Sequence, residues 1–434
     1  MATTEEPTAA QPEATGVTPP EITDPAWRRV EILQPTPSEL YPSSDNPDLL
    51  EVNLGPNHPS THGVLRLVTT LDGELVVGLK CEIGYLHTGI EKNIEQKTFW
   101  KAITYVPRMD YLSFFHGELS FCMAVEKLLE LEVPRRAEWL RVIAQELARL
   151  HSHLVYLGTG SVDLGGIALL FYCFRERDEV LDLFEMVAGY RMHPRYCQVG
   201  GVSDDIPVGF EAVCRRTIAG LRGRIDEYDE IIGANPIWRE RTKGIGVIPP
   251  SFAVAMGLTG PNLRASGVPF DLRTANGGYG AYRELGYTPV THPDGDTFAR
   301  FRVRVEEMRA SLDLIERCLD GLPAGPWISD DRKVVLPPRH ELHTSMESLI
   351  HHFLLVTEGF RVPAGDVYAP VESARGEYGF YMVSNGGVKP WRAHLRSPSL
   401  TCLQSIAPVV RGHYLADLIA ILASLDPVMG DVDR

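Results

Sequence analysis

The stretch "PRRAEWLRVIAQELARLHSHLVYL", residues 134–157, decides the fold class. Leu140, Ile143, Leu147, Leu150, Leu154 and Leu157 recur at threes and fours, the spacing that lines one stripe of an α-helix. Pro134 suits the first turn of such a helix, because the missing N–H would have no partner there. A Gly-rich break, "GTGSVDLGG" (158–166), separates it from a second helical run, "LLFYCFRERDEVLDLFEMVAGYR". Upstream, "GIEKNIEQKTFWKAITYV" reads as helix up to Pro107, and "DYLSFFHGELSFCMAVEKLLEL" fills 110–131. Further helices fit 208–233, 296–320, 344–359 and 411–424.

Before the helices, "GVLRLVTTLDGELVVGLKCEIG" (63–84) alternates in twos. Leu65, Leu67, Thr69 and Leu71 share one side, and Leu75, Val77, Leu79, Cys81 and Ile83 alternate again after the Asp72-Gly73 turn. The stretch 363–402 has turn signals and an alternating centre at 378–383, so it adds strands. The fold class is therefore α+β, mainly α: a long-helix bundle with a small N-terminal antiparallel β-sheet and a further short sheet. Along the chain this gives a disordered tail (1–25) and a segment with the hairpin (26–90). A central helix bundle (91–233), Gly/Pro-rich interface loops (234–295) and C-terminal helices with short strands (296–434) follow.

Of 434 residues, 44% are hydrophobic and 23% charged, and the formal net charge is −15. An acidic surface repels phosphate backbones, which argues against nucleic-acid binding. No apolar run approaches the ~20 residues needed to span a bilayer, and no secretory signal opens the chain. The expected location is the cytoplasm, unless a partner holds the chain against a membrane. Seven cysteines, at 81, 122, 173, 197, 214, 318 and 402, include no Cys-x-x-Cys pair. Neither a disulfide framework nor a zinc or self-ligated iron–sulfur site fits that spacing.

The loop "NLGPNHPSTHG" (53–63) places two histidines four apart in a segment stiffened by Gly55, Pro56, Pro59 and Gly63. Pro59 biases His58 away from helical angles, and no Glu lies between the histidines, so a zinc-type pair is poorly supported. Acid–base and purely structural roles both stay open for His58 and His62. Asp163 sits in the Gly-rich break, where capping the next helix is a sufficient role. Tyr111, Arg108 and His193 read by default as a core aromatic, a surface charge and a loop histidine.

Taken together, "NLGPNHPSTHGVLRL", "GYLHTGIEK", "YVPRMDYLS", "AVEKLL", "SVDLGG", "GYRMHPRY", "GPNLRASGVPFDLR", "ESARGEYGFYMVSNG" and "ASLDPVMGDVDR" resemble the D-subunit family of bacterial NADH-quinone oxidoreductase, respiratory complex I. The resemblance runs in order from about residue 50 to Arg434. It implies a fold like the large subunit of nickel–iron hydrogenases, to which that family is related. Hydrogenases hold their metal with two Cys-x-x-Cys pairs. The corresponding segments here, "RMDYLS" and "DPVMGDVDR", contain no thiolate, so no metal is expected.

The resemblance implies instead a vacated metal cavity that takes a quinone headgroup, ubiquinone or menaquinone, as substrate. His62 and Tyr111 would be quinone-binding proton donors, with Asp163 pairing His62 to favour its imidazolium. His58, Pro59 and Gly63 would shape the loop. Arg108 and His193 match positions that tune a 4Fe-4S cluster held by the neighbouring B subunit, while Thr88 stands where many relatives carry Arg. The implied partners are subunits B, C and I and the membrane subunits H and A, at the cytoplasmic face of the bacterial cell membrane. A nickel–iron-hydrogenase-like catalytic subunit and a non-catalytic scaffold subunit are the alternative readings.

Overall fold

The leucine stripe at 140–157 lies on a 29-residue helix, Arg135–Asp163, with Pro134 as its N-cap. All six stripe residues are buried, but so are Arg141, Gln145, Glu146, Arg149, His151 and His153 on the other faces. This helix is therefore the axis of the molecule and has no solvent-facing side over most of its length. The computed structural model describes residues 48–434, so the tail expected over 1–25 lies outside the described residues.

In chain order, the long helices are α1 (Phe114–Leu129), α2 (Arg135–Asp163), α3 (Ile167–Ala188), α4 (Phe210–Tyr228) and α5 (Thr297–Gly321). They are followed by α6 (Met346–Thr357), α7 (Pro398–Val410), α8 (Leu415–Leu425) and the short α9 (Met429–Asp433). The axial helix α2 packs against α3, α5, α1 and α8. α5 begins where Asp296 accepts the Ala299 N–H at 2.7 Å, the expected acidic cap. The run expected as one helix up to Pro107 is broken into Ile90–Gln96, Phe99–Ala102 and a 3-10 turn, Ile103–Arg108. α7 begins inside the stretch 363–402 that was expected to add strands. Pro398 occupies the first turn, where proline is tolerated.

The first sheet has three antiparallel strands, β1 (Leu50–Leu54), β2 (Arg66–Asp72) and β3 (Leu75–Glu82), in that order. A bulge between Thr70 and Leu71 shifts the register, so Thr69 faces Leu79 but Leu71 faces Val76. The alternation expected on Leu75 and Val77 is thereby corrected. Val76 is buried, while Leu75 is 40% exposed. The free edge of β3 is covered by the turn before α8, with Val76 donating to His413 O at 2.9 Å and Gly412 to Val76 O at 2.8 Å.

A further three-stranded sheet joins β4 (Gly365–Ser373), β5 (Gly376–Ser384) and β6 (Arg392–Arg396). Ser373 pairs with Gly376, so Ala374 and Arg375 form the hairpin tip, which is driven into the core. The 234–295 stretch, read as a surface or interface loop, also turns inward. It buries Asn262, Arg264, Asp271 and Arg273 completely.

Those charges form an ionic layer across α2, α5 and β4. Arg264 meets Glu307 at 2.6 Å, Glu372 at 2.7 Å and Asp271 at 3.1 Å. Arg273 joins Asp271 to Glu146, and His153 binds Glu307 at 2.9 Å. Such charges stay buried because every guanidinium faces several carboxylates; losing one partner costs about 3–5 kcal/mol.

Candidate functional site

The opening loop is a 3-10 turn, Pro59–Thr61, held by its own side chains. His58 caps it, its Nδ1 accepting the Ser60 N–H at 3.2 Å. The buried Thr61 hydroxyl donates to His58 O at 3.0 Å, and the Gly63 N–H donates to the same carbonyl at 3.2 Å. Gly55 has φ +80, and a Cβ there would stand 2.2 Å from Leu65 O and 2.6 Å from Thr61 Oγ1, so only glycine closes the loop. His62 follows in the left-handed region (φ 55) and reaches the solvent-accessible surface.

Around His62 the loop meets two other parts of the chain. The 3-10 turn contacts α8, and Ser60 Oγ donates to Asp163 Oδ1 at 2.7 Å. Asp163 is the last residue of α2, not part of a break before α3. The hydrogen-bond partner of Asp163 is Ser60, and Asp163 and His62 act on each other through space. Partial burial lowers the His62 pKa, Asp426 and Asp163 pull it up, and Arg375 pushes it down again. The net shift is downward, which favours the neutral imidazole.

Tyr111 is set by the start of α1. Asp110 accepts the N–H groups of Leu112 at 3.3 Å and Ser113 at 3.0 Å. The Leu112 carbonyl in turn lies 2.9 Å from Nδ1 of His151, whose Nε2 accepts from Arg177 at 2.9 Å. That arrangement assigns the Nδ1–H tautomer, and burial lowers the His151 pKa to about 3, so the ring is a fixed neutral donor. Tyr111 is half-buried, and burial raises its phenol to about 12. It is a hydrogen-bond donor at any physiological pH.

Beneath both residues lies a group the sequence reading did not single out. Arg375, at the β4–β5 hairpin tip, is fully buried. It binds Asp110 at 3.3 Å, Asp426 Oδ2 at 3.2 Å and the Asp426 carbonyl at 3.0 Å. Asp431, also fully buried, completes three carboxyls around one guanidinium. His62 and Tyr111 both feel Asp426 and Arg375, which places the 53–63 loop and the 108–113 segment over a common ionic floor.

The segments "RMDYLS" and "DPVMGDVDR" do meet. A Cβ on Gly430 would stand 2.2 Å from Met109 O and 3.0 Å from Tyr111 Cε1. Asp110 and Asp426, one from each segment, share Arg375, so a guanidinium occupies the polar space between them. The readable signal was an Asp inside apolar runs ("SLDPVM"). Arg375 gave none, because "ARG" between two strands reads as an exposed turn.

His193 lies against Pro107, the residue that precedes Arg108 in the chain. His193 (φ 53) lies 3.0 Å through Nδ1 from Pro107 O, and exposed Arg108 donates to Thr104 O. Arg108 and Thr88 line one surface recess of about 410 Å³, with Ile90, Asn93, Thr104 and Tyr105. A separate cavity of about 280 Å³, between α1, α2 and residues 279–283, contains none of the candidate residues. Its polar groups satisfy one another: Arg141 binds Glu126, and Tyr279 donates to Gln145 at 3.0 Å. Among the described residues, no group of three or more His, Cys, Asp or Glu has the geometry to hold a metal ion. No helix among them is long and apolar enough to cross a membrane.

With this geometry in hand, similarity to known proteins becomes informative. Residues 163–434 match the family model described as the respiratory-chain NADH dehydrogenase 49 Kd subunit. The chain belongs to that family. The NADH-quinone oxidoreductase D subunit of Deinococcus radiodurans is 49% identical over 400 residues, covering 92% of this chain and 100% of that protein. NADH-quinone oxidoreductase subunit 4 of Thermus thermophilus is 49% identical over 409 residues, 94% of this chain and 100% of that one. A D subunit of the Chloroflexus aurantiacus oxidoreductase is 48% identical over 408 residues, covering 93% and 99%. As a 49 Kd family member, the chain is one component of an oxidoreductase complex. The hydrogenase and scaffold alternatives gain nothing from these relatives.

Proposed function

We propose that this chain forms the quinone-headgroup site of its complex, beside the terminal 4Fe-4S cluster of the B subunit, and supplies protons for quinone reduction. The observation that carries the reading is the convergence of His62 and Tyr111 over the buried Arg375–Asp426 pair. Reduction of a quinone to a quinol places charge on two carbonyl oxygens and takes up two protons, so it needs donors held at those oxygens. Tyr111 offers a phenol that keeps its proton. His62 offers a neutral ring N–H at the exposed lip of the loop. Asp163, half-buried and held by Ser60, biases His62 electrostatically and sets the position of its loop.

His62 is exposed and Tyr111 only half-buried, which fits completion of the site by another polypeptide of the complex. Val162, Ile167 and Phe171 continue from Asp163 as exposed apolar residues suited to an isoprenoid tail. Arg108 and His193 are the residues we assign to the cluster-facing side. A nearby cation eases reduction of such a cluster, and an imidazole makes its potential depend on pH. Subunits B, C and I and the membrane subunits H and A are the proposed neighbours, at the cytoplasmic face of the cell membrane.

The test is a pair of variants, His62→Ala and Tyr111→Phe, in the assembled complex. Quinone reduction should fall by about 10²-fold or more, while NADH oxidation by an artificial acceptor is preserved. Normal quinone reduction in both variants would refute the reading.

A further inference from the structure

The floor of the site holds more negative charge than its single guanidinium can balance. Asp110, Asp426 and Asp431 are all buried, and Arg375 is the cation they share. Three ionised carboxyls there would leave uncompensated charge in a low-dielectric interior, so the cluster keeps at least one proton. The hydrogen bonds say which carboxyl holds it. Asp110 accepts two backbone N–H groups and faces Arg375 at 3.3 Å. Asp426 faces Arg375 at 3.2 Å. Asp431 accepts no backbone N–H and makes no direct ion pair; only the hydroxyls of Ser397 and Ser399 act on it, and both its oxygens are buried. An ionised carboxylate so poorly supplied with donors is the costliest of the three to bury.

We propose that Asp431 is the proton reserve of the quinone site, resupplying Tyr111 after the phenol has given its proton to the reduced quinone. The inference rests on the quinone-site reading above. Asp431 lies next to Gly430, whose backbone presses on the Tyr111 ring, and its charge acts on the phenol directly. In the step, two electrons arrive one after the other from the cluster of the neighbouring polypeptide, and the Tyr111 O–H bond breaks as an O–H bond forms on one quinone oxygen, leaving a phenolate and a quinol monoanion whose other oxygen takes its proton from solvent. The Asp431 O–H bond then breaks, the phenol O–H re-forms, and Asp431 is left a carboxylate until solvent reprotonates it. Asp431 acts through Tyr111 and is therefore a positioning and supply residue, not one that touches quinone.

The groups facing Asp431 are consistent with this use. Asp110 and Tyr111 face it from the start of α1, and Arg375 and Tyr378 from the β4–β5 hairpin. Ser397, Ser399 and Cys402 face it from α7 and its cap. Burial, followed by the Asp110 charge, raises the Asp431 pKa to about 7, against the pull of Arg375 and the two serines. A reserve that titrates there can both give and regain a proton at cellular pH.

The experiment uses Asp431→Asn and Asp431→Glu in the assembled complex, with quinone reduction measured from pH 6 to pH 9. Asparagine matches the shape but carries no exchangeable acid. The expected result for Asp431→Asn is a kcat about tenfold down at neutral pH and falling further as pH rises, with KM for quinone unchanged. Asp431→Glu should restore most of the rate. Infrared difference spectra of the wild-type complex should show a protonated-carboxyl stretch near neutral pH that Asp431→Asn removes, a readout that needs no turnover. A wild-type pH profile in Asp431→Asn, or an unchanged carboxyl band, overturns the proposal. If His62→Ala and Tyr111→Phe also leave quinone reduction intact, the site reading itself has failed; if they impair it, only the role of Asp431 has.

Discussion

Arg375→Met removes the guanidinium under the site while keeping much of the side-chain volume. The guanidinium is fully buried and serves Asp110 at 3.3 Å, Asp426 at 3.2 Å and the Asp426 carbonyl at 3.0 Å. Deleting one member of a buried ion pair costs about 3–5 kcal/mol, because the partner charge stays behind. That is about a fifth or more of the roughly 5–15 kcal/mol that holds a typical domain folded.

The loss should depend on pH, with a definite sign. Burial already holds Asp110 above its unfolded value near 3.9 against the pull of Arg375, and without Arg375 it rises further. Between the unfolded and the raised folded pKa, the folded state binds more protons. Each such group then makes stability fall by about 1.4 kcal/mol per pH unit as pH rises. Urea unfolding of the purified chain should therefore show a deficit larger at pH 7 than at pH 5, by about 1–3 kcal/mol. Adding Asp426→Asn to Arg375→Met should recover part of it by removing the stranded charge. A deficit below about 1 kcal/mol, or one equal at both pH values, would refute the ionic-floor reasoning.

Other expectations can be checked alongside. Gly430→Ala drives a Cβ to 2.2 Å from Met109 O and 3.0 Å from Tyr111 Cε1, so it should displace Tyr111 and cut quinone reduction more than it cuts stability; equal effects on both would argue against this. Ser60→Ala loses the 2.7 Å bond to Asp163 and should cost about 1 kcal/mol, whereas Asp163→Asn keeps an acceptor for Ser60 and should leave the loop in place. Melting curves and loop proteolysis separate the two. The His62 pKa is depressed on folding, so its contribution to stability is present above the unfolded value near 6.5 and is lost as pH falls below it. An NMR titration placing His62 above 6.5 would contradict that sign. Thr88→Arg adds a second cation to the recess of Arg108 and should raise the potential of the neighbouring cluster; redox-titrated EPR would show no shift if that recess faces elsewhere.

The parts of the fold legible from sequence are those where hydropathy alone sets the structure. The stripe from Leu140 to Leu157 marked the axial helix, and alternation marked β2 and β5. What stayed hidden was decided by polar partners distant in sequence. Arg264 and Arg273 look like surface residues until Glu307, Glu372, Asp271 and Glu146 surround them. The Thr70/Leu71 bulge inverted the turn end of β3, at Leu75 and Val76, without any residue announcing it. Within the site, His62, Tyr111 and Asp163 came from resemblance to a family, not from spacing. Arg375, Asp426, Asp431 and Ser60 emerged only once the chain was folded, because each gains its meaning from a partner. Ser60 and Asp163 are 103 residues apart, and Arg375 and Asp110 are 265 apart.

Photo-crosslinking of the intact complex with an azido-quinone, followed by peptide mapping, most directly tests whether quinone sits over the Arg375–Asp426 floor. The label should fall on the 53–63 loop or the 108–113 segment of this chain and be displaced by excess unlabelled quinone. Labelling confined to other polypeptides of the complex, under conditions that support quinone reduction, would contradict it.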